Sequence, residues 1–503
     1  MLSPDKNIRK RLKSLELHLK EENPILVSAV EGFRHLSRVG YSMGLLAPSE
    51  SYATQISWWP LISVLGTFSA GKSTFINNYI SYPLQDTGNQ AVDDKFTVMC
   101  YGGEKNGRTL PGVALDADPR FPFYRTSEEL DKVEAGQGGR VDAYLQLKTC
   151  RSKALKGRIL IDSPGFDADE QRSATLRLTN HIIGLSDLVL VLFDARHPEP
   201  GAMSDTLAHL VGATKDRADS SKFLYILNQI DTTAREDNPE EVTGAWQRAL
   251  AREGLTAGRF YSIYDPEAAV PIENEALRRR FEWKRDQDLS DIHQRIEQVS
   301  VERAYRIVGA LEKRANEIEE YYVPELRGLI ASWRRKVLGW DLGYLLLAAV
   351  AGGAAAMLLP PAMVDTVKTG LHQLLGNQLL SLAAAVMLAA LAFYLHFTAR
   401  SWAAKKVLQE ILARYKEDES ERMARAFKRN TRIWRSIFDP DPAGWSGRNR
   451  RALKRIVINA NRLVQTLNDR FTDPSGKRPI EEETKPEEPR VVSGEVILRE
   501  EPV

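Results

Sequence analysis

Residues 66–74 read Gly-Thr-Phe-Ser-Ala-Gly-Lys-Ser-Thr. This is the phosphate-loop spacing G-x-x-x-x-G-K-[ST], carried by Gly66, Gly71, Lys72 and Ser73. An apolar run, Leu61–Leu65, precedes it and a helix-like run, Thr74–Ile80, follows. That order is the strand–loop–helix such a loop requires. The glycines let the backbone close around phosphates, so Gly66, Thr67, Phe68, Ser69, Ala70, Gly71, Lys72, Ser73 and Thr74 are the candidate nucleotide-binding residues. Lys72 is placed to reach the β- and γ-phosphates, and the Ser73 hydroxyl to hold Mg²⁺. A chance match in a chain this long is on the order of a few in a hundred.

The chain has 503 residues, which implies more than one unit. Residues 58–284 alternate strand-like and helix-like runs. The strand-like runs are 61–65, 96–101, 144–148, 159–161, 188–193, 223–227 and 260–264. Continuous apolar runs such as Leu188–Phe193 predict a sheet buried on both faces, hence an α/β domain. Flanking it are helical patterns over 1–57, 285–341 and 399–472, with Pro324 expected to kink the second. Residues 473–503 end in an acidic, Pro-containing tail that predicts disorder. A net charge of +2 gives no reason to invoke nucleic acid. Cys100 and Cys150 are too few for a disulfide framework, and the histidines show no metal-ligand spacing, so a reducing cytosol is expected. The first residues lack the apolar core of a signal peptide.

Two further segments set the chain apart. Leu342–Leu359 carries no charge over eighteen residues, and Leu379–Thr398 none over twenty, interrupted by Ser381 and His396. Each reaches about 27–30 Å as a helix, one hydrocarbon core. A connecting loop holds Pro360, Pro361, Asp365 and Lys368, while the outer flanks carry Arg334, Arg335, Lys336, Arg400, Lys405 and Lys406. The positive-inside bias predicts a two-span hairpin, 342–398, with both termini cytoplasmic. Gly352 and Gly353 suit close packing of the two spans. The alternative is a pair of buried Ala-rich core helices.

Two motifs narrow the phosphate chemistry. Ile159–Gly165 ends in Asp-Ser-Pro-Gly, so a strand delivers Asp162 toward a Mg²⁺ shell and Gly165 can bond a γ-phosphate. Ile226–Asp231 ends another apolar strand and resembles the guanine-reading N-K-x-D, with Asn228 and Asp231 in place and Gln229 where that motif has Lys. A carboxylate can accept both guanine N1–H and N2–H₂.

Together these residues resemble the dynamin superfamily, and most closely its EHD branch. Ser69 fits the family loop G-x-x-S-x-G-K-[ST]. Thr87–Thr97 resembles the EHD switch segment, Gly112–Phe123 its G-N-A-L-x-x-D-P-x-x-P-F, and Leu192–Ala195 its L-F-D-A. The resemblance implies that Ser69 helps polarise the attacking water. It also implies a switch threonine; Val92 and Asp93 stand at the family's Thr-Thr pair, so either Thr87 or Thr97 substitutes or hydrolysis is slow. The hairpin looks more like that of mitofusins and some bacterial dynamin-like proteins. EHD members resemble GTPases and use ATP, which keeps both bases open.

The expectation is an α/β P-loop GTPase domain plus an all-α stalk bundle interrupted by a two-helix transmembrane hairpin. It is a nucleoside-triphosphate hydrolase with catalytic Ser69, Lys72 and Gly165, Mg²⁺ on Ser73 and Asp162, and Asp93 within the switch segment. Its partners are a lipid bilayer through 342–398 and a second copy through heads and stalk. It would work as a membrane-remodelling machine or as a tethered switch that recruits other proteins.

Overall fold

The computed structural model describes residues 4–66, 69–88, 95–104, 106–117, 120–121, 141–164, 172–196, 220–235, 239–252 and 259–471. The acidic tail lies outside these residues.

The head is built on eight strands: β1 (Leu61–Gly66), β2 (Phe96–Tyr101), β3 (Arg108–Pro111), β4 (Leu145–Cys150), β5 (Ile159–Asp162), β6 (Leu188–Asp194), β7 (Phe223–Asn228) and β8 (Arg259–Ser262). Their order in the sheet is β3-β4-β2-β5-β1-β6-β7-β8. β1 lies between β5 and β6, parallel to both, and β7 and β8 continue parallel. β2 runs antiparallel to β5, and β3 antiparallel to β4, so the sheet is mixed. Every residue of β1, β5, β6 and β7 is buried, as the unbroken apolar runs required. β3 was not visible as a strand. It is short, mostly exposed, and ends in Pro111, a pattern tolerated only at an edge. Helices α3 (Lys72–Ile80), α4 (Arg172–Leu185) and α5 (Pro239–Arg252) complete the head.

The rest is helical. α1 (Lys6–Glu22) and α2 (Leu26–Met43) precede the sheet. After it, α6 (Glu275–Glu317) passes through a π turn, Ile318–Tyr322, into α7 (Val323–Leu358). Pro324, where a kink is expected, falls in the first turn after that π segment. Its missing N–H is absorbed where the Val323 N–H reaches the Ile318 carbonyl, five residues back. At about 1.5 Å per residue the rod is about 125 Å long. α8 (Pro361–Gly376), α9 (Gln378–Arg414), α10 (Glu417–Asn430) and α11 (Gly447–Phe471) follow. α2 and α11 pack on α6, while α9 and α10 pack on α7. The principal core joins these helices to one face of the sheet through Phe33, Trp58, Trp59, Leu311, Trp333 and Phe427.

Asp187, at the start of β6, fastens the rod to the sheet. One carboxylate oxygen accepts from the Leu61 N–H at 3.0 Å. The other accepts from Arg303 at 3.1 Å and Arg306 at 2.9 Å, both on α6. Arg158 adds a bidentate pair with Glu297 at 2.6 and 2.8 Å, and bonds the Tyr79 hydroxyl of α3. Thus β1, β6 and α3, the elements around the phosphate loop, are tied to one helix.

The two apolar segments lie in α7 and α9, helices long and apolar enough to cross a membrane. Their side chains face outward: Leu345 is 69% exposed, Met357 90% and Leu379 79%. They are not buried core helices. Two expectations change. The connector is not a loop, because residues from Pro361 form α8. Proline suits a helix's first turn, and Met363, Val364, Val367, Leu371, Leu374 and Leu375 recur at helical spacing. Close packing through Gly352 and Gly353 is also absent, since a Cβ on either would meet nothing within 4 Å. The helices meet nearer the head, where Trp340 edges onto Trp402 at 5.5 Å and Asp341 bonds His396 at 2.8 Å.

Candidate nucleotide site

β1 ends at Gly66 and α3 begins at Lys72, so the loop opens at the edge of the sheet. A Cβ on Gly66 would lie 2.7 Å from the Leu192 carbonyl, so glycine alone lets β1 and β6 close there. Gly71 caps α3 with φ +78°, and a Cβ there would run into the Asn228 amide. Ser69 takes φ +59° without being glycine, a sparsely populated conformation costing about 1–2 kcal/mol. Its carbonyl accepts from Gln229 Nε2 at 2.6 Å, which holds that turn. Buried Lys72 donates to the Gly66 carbonyl at 3.1 Å. Lys72, Ser73 and Thr74 form the first turn of α3, where helix geometry directs N–H groups and positive dipole outward. Ala70 is buried beneath them. Thr67, Phe68, Asp93 and Gly165 lie outside the described residues.

Asp162 ends β5 beside Val64 of β1 and is buried. Its Oδ2 accepts from Gln85 Nε2 at 2.6 Å. Gln85 is held in turn by Asn77 of α3, whose Oδ1 accepts the Leu84 and Gln85 N–H groups at 3.0 and 2.9 Å. This bracket was not legible in the sequence, because no spacing rule links residue 77 or 85 to residue 162. The donor set is hard oxygen, a carboxylate and a hydroxyl next to a phosphate cradle. That suits Mg²⁺, which takes one or two protein ligands and completes its shell with phosphate and water. Ser73 and Asp162 are the residues that would hold it.

The two candidate switch threonines fall in different places. Thr97 is fully buried in β2, opposite Asp162, and its hydroxyl accepts from Gln146 at 2.7 Å. Thr87 is exposed on the segment after α3. The structure does not bring Thr97 out of the sheet, because its strand is paired on both sides.

On the base side, Asn228 ends β7 and donates to the Ala70 carbonyl at 2.9 Å. Asp231 follows in a 3-10 segment, Ile230–Arg235, buried, with one oxygen accepting the Val270 N–H at 2.8 Å. Burial pushes its carboxyl above the usual range, and the backbone donors offset this in part. Between them Gln229 sits at φ +62°, its side chain turned back onto Ser69. Asp194 and Arg196 complete the rim. Arg196 makes a fork of bonds to Asp194, the shortest 2.6 Å, and one Nη reaches the Ser69 carbonyl at 3.5 Å. Arg196 follows directly on Leu192–Ala195, so its place was within reach of that motif.

Residues 62–230 match the model of the Dynamin family. Over those residues the head is similar to the dynamin family. Among curated relatives, EH domain-containing protein 1 of Homo sapiens is 24% identical over 239 residues, covering 43% of this chain and 41% of its own length. EH domain-containing protein 1 of Arabidopsis thaliana is 26% identical over 249 residues, 46% of this chain and 42% of that protein. The chain thus spans about two-fifths of the length of these relatives. Among solved structures, one described as "LeoA bacterial dynamin GTPase from ETEC" aligns at a TM-score of 0.31 and 12% identity, over 93% of this chain and 69% of that one. Another, from "An oligomerised bacterial dynamin pair provides a mechanism for the long range sensing and tethering of membranes", aligns at 0.31 and 13%, over 92% and 75%. The matched stretch takes in the loop after β1 and Asn228 at the end of β7.

Proposed function

We propose that this chain is a membrane-anchored dynamin-type nucleoside-triphosphatase that uses GTP and couples hydrolysis to bilayer remodelling. One observation carries the reading. A single helical rod is clamped to the strands around the phosphate loop through Asp187, and leads into two exposed apolar helices. Residues 1–57, 285–341 and 399–472 form the stalk in this reading, 58–284 the head, and 342–398 the anchor. The dynamin-family match supports nucleotide hydrolysis, and self-association would run through heads and stalk.

The chemistry asks little covalent work of the protein. The first-turn N–H groups of α3 and the Lys72 ammonium neutralise charge on the β- and γ-phosphates. Ser73 and Asp162 would hold Mg²⁺, which would supply positive charge to offset that of the phosphates. Gln85 fixes the Asp162 carboxylate by hydrogen bond. Ser69 orients the attacking water, as in the family it resembles. Asp231 accepts the guanine edge with its second oxygen, while Asn228 holds the loop.

One observation favours a second base. Gln229 turns its side chain to Ser69 instead of offering an aliphatic stem to the base. Binding of GTP and ATP analogues to the full-length protein decides between them.

The test of the whole reading is reconstitution into liposomes. Cooperative, concentration-dependent hydrolysis together with vesicle tethering, fusion, fission or tubulation is the expected result. Hydrolysis with no self-association and no change in the vesicles would leave a tethered switch and sink the mechanical reading.

A further inference from the structure

A cavity of about 580 Å³ opens at the foot of the second apolar helix, between α9 and the segment after α10. Three cations line it, Arg400, Lys405 and Lys428, and no acid does. The nearest acid along α9, Glu410, is turned to Lys336 of α7 at 2.6 Å. Arg400 is 7% exposed, yet no carboxylate meets it among the described residues. Its guanidinium donates instead to the Arg432 and Arg435 carbonyls, both at 2.9 Å, and lies over Trp333 and Phe397 at 5.3 and 5.4 Å. A buried guanidinium held by carbonyls and rings keeps its full charge available at the cavity wall.

Those two bonds fix the level of the segment they hold. Residues 432–435 lie beside Arg400, two residues beyond the apolar run that ends at Thr398. The Trp340–Trp402 pair sits at the same end of the helices. Here the segment turns Ile433 and Trp434 outward, 69% and 79% exposed. Aromatic side chains beside cations, at the end of an apolar span, are the composition of a membrane–water boundary.

We propose that this cavity is a binding site for one anionic phospholipid. Its phosphate lies among Arg400, Lys405 and Lys428, and its chains pass Phe397 and Ile433 into the bilayer, with Trp434 inserted at headgroup depth. Cation charge complements an anionic headgroup, and the apolar end of the cavity is continuous with the exposed face of α9. The inference rests on the reading of 342–398 as membrane-spanning.

The experiment uses the full-length protein reconstituted in phosphatidylcholine vesicles containing phosphatidylglycerol. Lipid retained after mild extraction is counted by native mass spectrometry. The wild type is expected to keep phosphatidylglycerol over phosphatidylcholine. The double variant Lys405→Gln/Lys428→Gln, at two exposed positions that leave the fold alone, is expected to lose that preference about tenfold or more. Lys6→Gln/Lys13→Gln on α1 removes the same charge elsewhere and is expected to change nothing. Equal retention in wild type and the Lys405/Lys428 variant overturns the site, as does an equal loss in the α1 variant, which would mean diffuse attraction. Resistance to alkaline carbonate scores the anchor separately. A carbonate-resistant protein with no lipid preference overturns the site and leaves the anchor standing, whereas release by carbonate removes both.

Discussion

Asn228 donates its side-chain amide to the Ala70 carbonyl at 2.9 Å, tying the end of β7 to the phosphate loop. The end of β7 and the loop after β1 are therefore one hydrogen-bonded unit. Gly71 lies in the crook of that bond, at φ +78°. Gly71→Ala should strain the backbone and displace Asn228, costing about 1–3 kcal/mol and weakening nucleotide binding by a comparable factor. Thermal unfolding with and without nucleotide analogue checks it. An unchanged nucleotide-induced shift would show that the two segments act apart.

Lys72→Ala should leave the fold intact, since the side chain bonds the Gly66 carbonyl within its own loop. Turnover should fall by about 10²–10³, the usual cost of losing one preorganised charge-stabilising group. Steady-state phosphate release, compared at matched melting temperature, measures this.

Asp231→Asn should weaken GTP binding by about tenfold to a hundredfold, because the carboxylate charge facing the guanine N–H groups is lost. Binding of an ATP analogue should hardly change. Competition between fluorescent GTP and ATP analogues reads the ratio. If the wild type already prefers ATP, the guanine role of Asp231 falls.

Asp187→Ala should strongly destabilise the head. It removes the acceptor of the Leu61 N–H and the anion facing Arg303, whose side chain is 16% exposed, for about 3–5 kcal/mol. The denaturant midpoint should fall accordingly. Asp187→Asn should recover part of the loss, since one oxygen can still accept from Leu61.

Glu22 supplies a pH dependence. Its carboxylate is buried where α1 meets the head. It accepts from Trp59 Nε1 at 2.7 Å and the Gly157 N–H at 2.9 Å, with Arg120 at 3.7 Å. Burial outweighs these partners and raises its pKa above the ordinary 4.5. A carboxyl raised by folding stabilises most at low pH, so its contribution should fade as pH climbs from 4.5 through the folded value. Glu22→Gln should flatten that part of the stability profile. Urea midpoints taken across pH 4.5–7.5 in both proteins test the slope.

The phosphate loop, seven of the eight strands and both apolar helices were legible because each is a local pattern. A buried parallel strand is a run of apolar residues, and a span is an uncharged stretch of fixed length. β3 was missed because an exposed edge strand leaves no such run. α8 was misread as a loop because its two prolines look like a break, although Pro361 opens the helix instead of ending one. In the site, Asp162, Asn228 and Asp231 announced themselves at strand ends. Gln85, Asn77 and Asp187 did not, because their partners lie far along the chain and only the folded sheet brings them together.

The rod formed by α6, its π turn and α7 has one more property. From Arg306 to Trp340 it spans about 50 Å, and each residue turns the helix about 100°. It therefore acts as a keyed shaft, setting both how far the head stands from the apolar spans and which way it points. Deleting seven residues would draw the two together by about 10 Å with the same faces aligned. Deleting five would shorten it less and swing the nucleotide site by about 140°. Whatever partner the head must meet, the shaft decides its bearing before any nucleotide arrives.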